Sequence, residues 1–307
     1  MYNDVLKTRY IETLEKEAIK TLLTKEFESC ASTEDKISKD IKDFNRTEIL
    51  DYYTSLKTYS LDSIMVRNYR FEHYADWCIS NKEKNSKNEF AEITTEMLMD
   101  CLDQDVVNSL VLTREQVLEV IDKLPYGEAF LILALFEGIC GKDYEEFHDL
   151  KLGDFKVNGN IITVSLCTGR ELTVTKELYD YAVKATKQFS YTKNGKIIHF
   201  DAGDIRILKT KANAGRTNDY DLDDDVIYRR NYRRILTMTM RLRKEIGLQG
   251  LKISFLQVSG RIHLIKEMMK NNEDNNQRQY VNCEEATYRY GVVGSVPRWM
   301  MKYGQYL

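Results

Sequence analysis

Basic side chains are the residues of this chain whose type and spacing best indicate a chemistry. Eleven Lys and Arg stand against two Glu within Val226–Lys270, and a second stretch, Ala182–Arg216, has an excess of six basic residues. The net charge of the 307-residue chain is nevertheless −3, because residues 1–110 alone sum to −7. Concentrated positive charge is typical of phosphate binding even in a mildly acidic chain. The C-terminal two thirds are therefore predicted to bind a phosphate-bearing partner.

The stretch Val226–Ile246 is predicted to be one helix with an apolar side and a basic side. At about 100° per residue, the apolar side comprises Tyr228, Tyr232, Ile235, Met238, Thr239, Leu242 and Ile246. The basic side comprises Arg230, Arg233, Arg234, Arg241 and Lys244. A charged face is often merely solvated, but like charges without an interleaved carboxylate repel one another unless an anion lies across them. We expect these five cations, with Lys209, Lys211 and Arg216 of the preceding loop, to contact nucleic-acid phosphates.

A second stretch, Ala129–Cys140, is apolar on every side apart from Glu137. A helix that is apolar all round is buried all round, so this one is predicted to lie at the centre of a domain. Gly138 is expected inside that helix, at a point where only a hydrogen atom fits between close neighbours. Gly141 breaks the apolar run. A shorter helical pattern follows, in which Tyr144, Phe147, Leu150 and Leu152 face inward.

The fold is predicted to be mainly α-helical with a small β-hairpin or sheet, in two domains at residues 1–107 and 108–307. The linker is placed at 103–112, since Thr113 and Gln116 form a capping box ahead of an apolar run. Period-two alternation over Lys156–Glu177 predicts a hairpin that turns at Thr168–Arg170. Asn45 or Thr47, and Ser60 or Asp62, are predicted helix caps in the N-terminal part.

The residues Gly141–Phe155, GKDYEEFHDLKLGDF, resemble the signature G-L-R-x-S-E-L-x-x-L-x-W-x-D-I of the tyrosine recombinase (phage integrase) family. The glycine, glutamate, leucine and aspartate of that signature are in register. Asp143 stands where the family has its first catalytic arginine. Residues Ser60–Arg70, followed by Phe71 and Trp77, are similar to the family's core-binding domain. The resemblance implies a helical core-binding domain followed by an integrase-catalytic-like domain.

The other catalytic positions of the family are also substituted in this chain. Cys167 takes the place of the hairpin lysine. In Ser254–Gly260, Ser254 replaces the histidine and Gln257 replaces the second arginine. The nucleophilic tyrosine is sought at Tyr303 or Tyr306 in the closing segment. Four substitutions that keep the surrounding framework imply a scaffold without catalysis, and the chain is therefore expected not to be an enzyme.

Within this family the chain most resembles the lysogeny repressors of SPβ-type temperate Bacillus phages. That resemblance implies a cytoplasmic protein of the bacterial host that binds double-stranded phage operator DNA and represses transcription. The helix Ser63–Arg70, with Arg67, Asn68 and Arg70, is a candidate for reading base edges. Binding as a homodimer is an option that the sequence leaves open.

Two alternatives remain open at this stage. One is an active recombinase with shifted catalytic residues, in which Lys142 or Arg170 supplies the positive charge and Tyr303 is the nucleophile. The other is a scaffold role for the acidic N-terminal domain that does not involve DNA.

Composition argues against several other classes of protein. The six cysteines are scattered without a CxxC pair, which fits reduced thiols and neither a zinc site nor a disulfide framework. The acidic run Asp219–Asp225 lacks the spacing and the glycine of a calcium loop, and is predicted to be a helix N-terminus. No apolar run reaches about 18 residues, and the charged N-terminus does not resemble a signal peptide. We expect no metal, cofactor, membrane or small-molecule substrate.

Overall fold

The computed structural model describes residues 2–84, 87–193, 195–212, 224–270, 276–291 and 296–307. Within these ranges, the side chains of residues 193, 224–232, 234, 249, 276–281, 298, 301, 302 and 305 lie outside the description. The chain divides into two compact units, Met1–Asn108 and Ser109–Leu307. Both consist mainly of α-helices, and small antiparallel sheets occur in the second. None of the helices in the described ranges is long and apolar enough to cross a membrane.

The N-terminal unit is helical, and its last helix runs across the division between the units. Its helices are α1 (Asp4–Glu12), α2 (Glu17–Ile37), α3 (Arg46–Ser55), α4 (Leu61–Ser80), α5 (Thr95–Asp100) and α6 (Gln104–Leu110). Of the predicted caps, the structure uses Asn45 and Ser60. Asn45 forms a capping box with Glu48, and the Ser60 side chain accepts a hydrogen bond from the Ser63 amide. These caps satisfy amides that the first helical turn leaves unpaired.

Aromatic side chains form much of the N-terminal core. The ring of Phe27 on α2 lies 5.9 Å from that of Phe71 and 4.9 Å from that of Tyr74, both on α4. A buried ion pair joins α1 to α2, with Lys7 Nζ 2.5 Å from Glu34 Oε1 and both side chains fully buried. Lys7 also lies 5.0 Å from the centre of the Phe27 ring. A buried charge needs such a partner, so this pair constrains how α1 packs on α2.

The C-terminal unit combines helices with two small sheets. Its helices are α7 (Arg114–Ile121), α8 (Tyr126–Glu137), α9 (Lys176–Thr186), α10 (Asp224–Ile246), α11 (Ile253–Lys270), α12 (Asn276–Arg289) and α13 (Val296–Tyr303). One antiparallel sheet has the order β1-β2-β3, with β1 (Phe155–Asn158), β2 (Ile161–Ser165) and β3 (Glu171–Val174). The other pairs β4 (Ser190–Lys193) with β5 (Lys196–His199).

The predicted hairpin is confirmed as β2 and β3. Ile162 pairs with Val174 and Val164 pairs with Leu172, and all four side chains are buried. The strand β1 is an additional member, which the sequence analysis did not identify. Phe155 is the only buried residue of its four, so burial does not alternate along this strand.

Helix α8 is the centre of the C-terminal core, as its composition predicts. Residues 128–137 are all buried, including the carboxylates of Glu128 and Glu137. Helices α7, α9 and α11 pack against it. The expectation for Gly138 was wrong in one respect, because this glycine lies just beyond the helix as its C-cap, with φ of +101°. That conformation strongly favours glycine, and a Cβ there would lie 3.1 Å from the Arg289 carbonyl oxygen.

The contact between α8 and α11 depends on the absence of a side chain at Gly260. A Cβ on Gly260 would lie 1.7 Å from the Phe136 carbonyl oxygen and 2.2 Å from the Tyr290 hydroxyl. The Tyr290 hydroxyl donates a hydrogen bond to that same carbonyl. One backbone oxygen of α8 is therefore enclosed by α11 and by the end of α12.

Helices α11, α12 and α13 enclose a second apolar cluster in the C-terminal unit. It contains Ile262, Ile265, Cys283, Ala286, Val296 and Trp299, and Tyr303 packs against it. The Arg261 guanidinium lies 4.7 Å from the centre of the Trp299 ring. This cation–π contact helps to compensate a guanidinium that is almost completely buried.

Replacing Gly260 with Ala is expected to destabilise the protein by about 2 kcal/mol or more, because the methyl group forces α8 and α11 apart. Gly127→Ala is the matched control. Gly127 lies in the first turn of α8, and a Cβ there has no neighbour within 4 Å. That variant should be neutral or slightly stabilising. Thermal and urea unfolding measure both changes, and equal stability of the two variants would contradict the close helix contact.

Candidate functional site

A tightly wound loop follows α8 and forms one wall of the candidate site. Gly141 has φ of +68° and leaves no room for a side chain, since a Cβ would lie 2.8 Å from Glu145 Cγ and from Glu146 Cγ. Asp143 and Tyr144 also have positive φ, at 52° and 68°. Residues other than glycine rarely adopt this conformation, and it costs roughly 1 kcal/mol or more per residue. Other contacts must therefore hold the loop in this shape.

Glu146 supplies those contacts from beneath the loop. Its carboxylate is almost completely buried and accepts hydrogen bonds from four donors. They are the Cys140 amide at 2.8 Å, the Thr168 hydroxyl at 2.6 Å, and Arg170 Nε and Nη2 at 2.7 and 2.5 Å. Charge-assisted bonds of this kind compensate the cost of burying the carboxylate. The glutamate of the family signature is thus a structural residue in this chain.

Arg170 extends the same network to the ends of two helices. Its Nη2 donates to the Gly138 carbonyl at 3.1 Å, and its Nη1 donates to the Arg289 carbonyl at 2.5 Å. Arg289 in turn donates to the carbonyls of Glu137 at 3.1 Å and Thr173 at 2.7 Å. The Arg170 guanidinium therefore binds Glu146 and two backbone carbonyls. Its charge is already balanced within the protein.

Three of the residues that the sequence analysis placed at catalytic positions meet in one pocket of about 530 Å³. Asp143 comes from the loop, and Ser254 and Gln257 lie one turn apart at the start of α11. The other described residues that line the pocket are Cys140, Gly141, Tyr144, Leu236, Thr239, Met240, Arg243, Lys252, Ile253, Tyr290 and Gly291. The structure thus brings together residues that are more than 100 positions apart in the chain.

Two residues of the predicted catalytic set lie elsewhere. Cys167 is exposed in the β2–β3 turn, with its thiol 3.5 Å from the Glu145 carbonyl oxygen, and it is not among the described residues that line the pocket. Partial burial raises the pKa of this thiol, and the Glu146 carboxylate adds to the effect. Tyr303 packs in the second apolar cluster, with its ring centre 5.5 Å from that of Trp299.

The pocket also contains two cations that the sequence analysis did not select. Arg243 on α10 shares a helix face with Leu236 and Met240, which also line the pocket. The intervals of four and three residues between them are the sequence pattern from which this shared face could have been predicted. Lys252 precedes α11, and its amine lies 5.6 Å from the centre of the Phe255 ring. No ion pair joins Arg243 or Lys252 to a carboxylate within the described ranges. With Asp143, the lining has a formal charge of +1.

The remaining polar groups of the pocket do not form an acid–base pair. Burial raises the pKa of Cys140 to about 12, and the Glu146 carboxylate adds to the effect, so the thiol stays protonated. The Gln257 side chain acts in the opposite direction and lowers the pKa of this thiol. His263 on α11 is half-buried, and its ring centre lies 5.7 Å from that of Phe136. Burial lowers the pKa of His263. The charged groups of the described lining are therefore Arg243, Lys252 and the Asp143 carboxylate.

The predicted basic face of α10 is only partly within the described structure. Arg233 and Lys244 are exposed to solvent, while the apolar-side residues Ile235 and Leu242 are buried. Arg241 forms an ion pair with the Glu128 carboxylate of α8. The side chains of Arg230 and Arg234, and all of Arg216, lie outside the described residues. The helix and the described residues of its apolar side agree with the sequence analysis, whereas the side chains of Tyr228 and Tyr232 lie outside the described residues.

The two described lysines of the predicted basic loop have different environments. Lys209 is buried, and its amine donates to the Thr186 carbonyl at 2.6 Å, where α9 ends. The same amine lies 4.5 Å from the centre of the Phe189 ring. Lys211 is exposed. Lys209 therefore has a structural role, and Lys211 remains accessible to a ligand.

Arg67 and Arg70 of α4, the candidate base readers, both contact Glu26 of α2. Arg70 Nη1 lies 2.5 Å and Arg67 Nε 3.7 Å from Glu26 Oε1, and Arg67 also donates to the Tyr52 hydroxyl at 2.9 Å. Burial raises the pKa of Glu26, and the two arginines oppose that increase. Both guanidinium groups thus compensate a buried carboxylate inside the N-terminal unit. Whether they also contact bases remains a prediction.

Replacing Arg170 with Met is expected to destabilise the protein by about 3–5 kcal/mol, because it leaves the buried Glu146 carboxylate without its counter-ion. The double variant Arg170→Met/Glu146→Leu should recover much of that loss. Urea unfolding of both variants provides the measurement.

Lys176→Met is the matched control for that prediction. It breaks an exposed ion pair between Lys176 and Asp180 on α9, and it should leave the unfolding midpoint unchanged. If Arg170→Met unfolds at the same urea concentration as Lys176→Met, the Glu146 network does not stabilise the loop.

Comparison with known proteins identifies both halves of the chain. Residues 1–80 match the family model described as "MrpR, N-terminal core-binding domain", and residues 111–293 match "MrpR, C-terminal catalytic domain". Among solved structures, the chain is similar to the Tn1549 transposon integrase (residues 82–397) in complex with circular intermediate DNA. The identity is 15%, the TM-score is 0.42, and the match covers 97% of this chain and 94% of that chain. A comparison with curated proteins finds no match.

The two family models follow one another in the order that the sequence analysis predicts. A helical core-binding domain precedes a domain of the integrase-catalytic type, and the C-terminal match alone covers more than half of the chain. The predicted fold class, mainly helical with a small antiparallel sheet in a two-domain tyrosine-recombinase-like architecture, is confirmed. The chain therefore belongs to the MrpR family.

Proposed function

We propose that this protein is a sequence-specific, double-stranded-DNA-binding transcriptional repressor of a temperate phage, of the SPβ type that infects Bacillus. In this proposal it maintains lysogeny from the host cytoplasm by binding operator DNA through an inactive tyrosine-recombinase scaffold. The observation that carries the proposal is the pocket where Asp143, Ser254 and Gln257 meet. A carboxylate and two neutral groups occupy the positions at which the recombinase resemblance expects two arginines and a histidine.

The chemistry of recombination explains why those substitutions matter. Attack of a tyrosine on a phosphodiester concentrates negative charge on the nonbridging oxygens, and an active site must stabilise that charge in the transition state. Asp143 adds a like charge instead, which at about 4 Å costs roughly 1–4 kcal/mol between bulk-water and protein-surface dielectric constants. Arg243 and Lys252 can attract a phosphate to the pocket. Without the two arginines and the histidine of the family, that attraction favours binding over cleavage.

The distribution of positive charge supports DNA as the partner. Arg233 and Lys244 on α10, and Lys211 before it, are exposed and have no carboxylate partner among the described residues. Cations of this kind are available to neutralise phosphates, whereas Arg241 and Lys209 are engaged inside the unit. A homodimer on repeated operator sites is consistent with this mode of binding and is part of the proposal.

The alternative function is an active recombinase with Lys142 or Arg170 as the source of charge. The ion pair of Arg170 with Glu146 and the packing of Tyr303 on Trp299 support the repressor over this alternative. A scaffold role for the N-terminal domain without DNA is a third function. Binding and cleavage experiments on duplex DNA distinguish the three.

Replacing two exposed cations, as Arg233→Ala/Lys244→Ala, should weaken binding to operator and to nonspecific DNA alike. Each phosphate contact contributes about −0.9 to the slope of log K against log salt, so the slope should become flatter by about two. Fluorescence anisotropy across a salt series measures both quantities. The control Lys156→Ala/Lys176→Ala removes the same charge from exposed positions on β1 and α9. An equal effect of the two double variants would indicate that α10 does not contact DNA.

Incubation with a nicked DNA substrate should produce no covalent protein–DNA adduct, because the pocket lacks the charged clamp. Tyr303→Phe should correspondingly bind DNA as tightly as the natural chain. Denaturing gel electrophoresis detects adducts, with an active tyrosine recombinase on its own substrate as the positive control. A phosphotyrosine at Tyr303 would refute the repressor proposal in its non-catalytic form and support the recombinase alternative.

A further inference from the structure

A second cavity of the C-terminal unit opens beside α10, separate from the pocket of Asp143, and has a volume of about 360 Å³. Its walls come from the start of α8, the end of α9, the β4–β5 sheet and the segment that follows it, and α10. The described lining residues are Pro125, Gly127, Glu128, Ala185, Gln188, Tyr191, Phe200, Ile207, Leu208, Lys209, Lys211, Arg233, Thr237, Met238 and Arg241. The volume lies at the lower end of the roughly 300–1,000 Å³ typical of small-molecule sites.

The interior of this cavity is apolar and firmly built. Ile207 and Leu208 are buried, and the rings of Tyr191 and Phe200 stack with centres 5.4 Å apart and planes at 28°. Gln188 is the one residue of the described lining with a side-chain amide. That amide accepts a hydrogen bond from the Gly127 backbone N–H at 3.4 Å and donates one to the Ser190 carbonyl at 3.2 Å. A ligand would therefore meet aliphatic and aromatic surface whose polar neighbours are already hydrogen-bonded.

The charged side chains that line the cavity are mostly basic. Four cations and one carboxylate line it, giving a formal charge of +3. The ion pair between Arg241 and Glu128 and the carbonyl contacts of Lys209 satisfy the inner groups. Lys211 and Arg233 are exposed and have no ion-pair partner in the described structure. An antiparallel bridge pairs Lys211 with Phe200, which puts the lysine beside the aromatic wall.

From this combination we infer that the cavity binds a small amphipathic anion. The apolar, flat part of the ligand packs against Tyr191 and Phe200, and its acidic group lies between Lys211 and Arg233. Inorganic phosphate would satisfy the cations but leave the apolar interior unfilled. A neutral apolar ligand would fill the interior but leave the two cations without a counter-ion. An anion with an apolar body satisfies both conditions.

The position of the site suggests a regulatory consequence, which rests on the proposed function. Arg233 belongs both to this cavity and to the exposed basic face of α10. A bound anion and a DNA phosphate would compete for the same guanidinium. Ligand binding is therefore expected to weaken DNA binding by this helix.

The test uses the fluorescent anion 8-anilinonaphthalene-1-sulfonate, which has an aromatic body and one sulfonate, with the full chain and no DNA. Titration should reveal one saturable site per chain. Lys211→Glu/Arg233→Glu should weaken binding at least about tenfold, and inorganic phosphate at equal ionic strength should not displace the probe. Thr237→Trp should abolish saturable binding, because Thr237 is an exposed lining residue whose enlargement blocks the cavity without disturbing the core.

Lys244→Glu is the matched control, since it reverses a charge on the same helix at an exposed residue outside the lining. It should leave probe binding unchanged. Saturable binding that persists in Thr237→Trp, or that Lys244→Glu reduces as much as the cavity variants do, would overturn the inference. Displacement by phosphate alone would also overturn it. Circular dichroism verifies folding, and if the double charge reversal does not fold, Thr237→Trp decides alone.

A separate experiment with DNA tests the regulatory consequence. The probe should raise the protein concentration needed to shift duplex DNA for the natural chain but not for Thr237→Trp. If the protein binds no DNA at all, the proposed function fails, while the fluorescence titration still decides whether the cavity is a ligand site. If the probe binds the cavity and DNA binding is unaffected, the competition for Arg233 is refuted.

Discussion

The bidentate pair between Arg170 and the buried Glu146 is the interaction on which the rest of the C-terminal site depends. It joins the β2–β3 turn to the loop after α8, and the same guanidinium binds the carbonyls at the ends of α8 and α12. A carboxylate buried this deeply is stable only if its hydrogen-bond donors stay in place. A planar guanidinium can donate to this carboxylate and to two carbonyls at once in only one orientation. The left-handed conformations of Asp143 and Tyr144 are therefore maintained by tertiary contacts and not by local preference. The network of Glu146 and Arg170 therefore fixes the backbone of the loop that forms one wall of the pocket.

The same physical requirement divides the cations of the chain into two groups. Some compensate buried acceptors inside one unit, as Arg70, Arg241 and Lys209 do. Others face solvent without a carboxylate partner in the described structure, as Lys211, Arg233 and Lys244 do. A count of charges along the sequence treats both groups alike. Among the described cations, the second group can neutralise phosphates without exposing a buried charge, so fewer of them are available for binding than their count in the sequence indicates.

Local patterns were sufficient to predict the main elements of the fold. The all-apolar composition of α8 required burial, and the side chains of Asn45 and Thr113 cap helices at the positions where their types are favoured. Features that depend on tertiary contacts were not predictable in this way. Gly138 caps α8 instead of lying inside it, since the helix ends where Arg170 and Arg289 capture its last carbonyls. Arg243 and Lys252 enter the pocket only because α10 and α11 meet there.

The residues that match the recombinase signature differ in burial from those that depart from it. Gly141 and Glu146 retain the family residues, and both are required to fold the loop. Asp143 and Ser254 are exposed, and Gln257 is half-buried, so substitutions there leave the packing intact. Folding stability therefore constrains Gly141 and Glu146. It does not constrain the three accessible positions, Asp143, Ser254 and Gln257. A match to the motif consequently reports the fold, whereas any conclusion about activity depends on the charges at these three accessible positions.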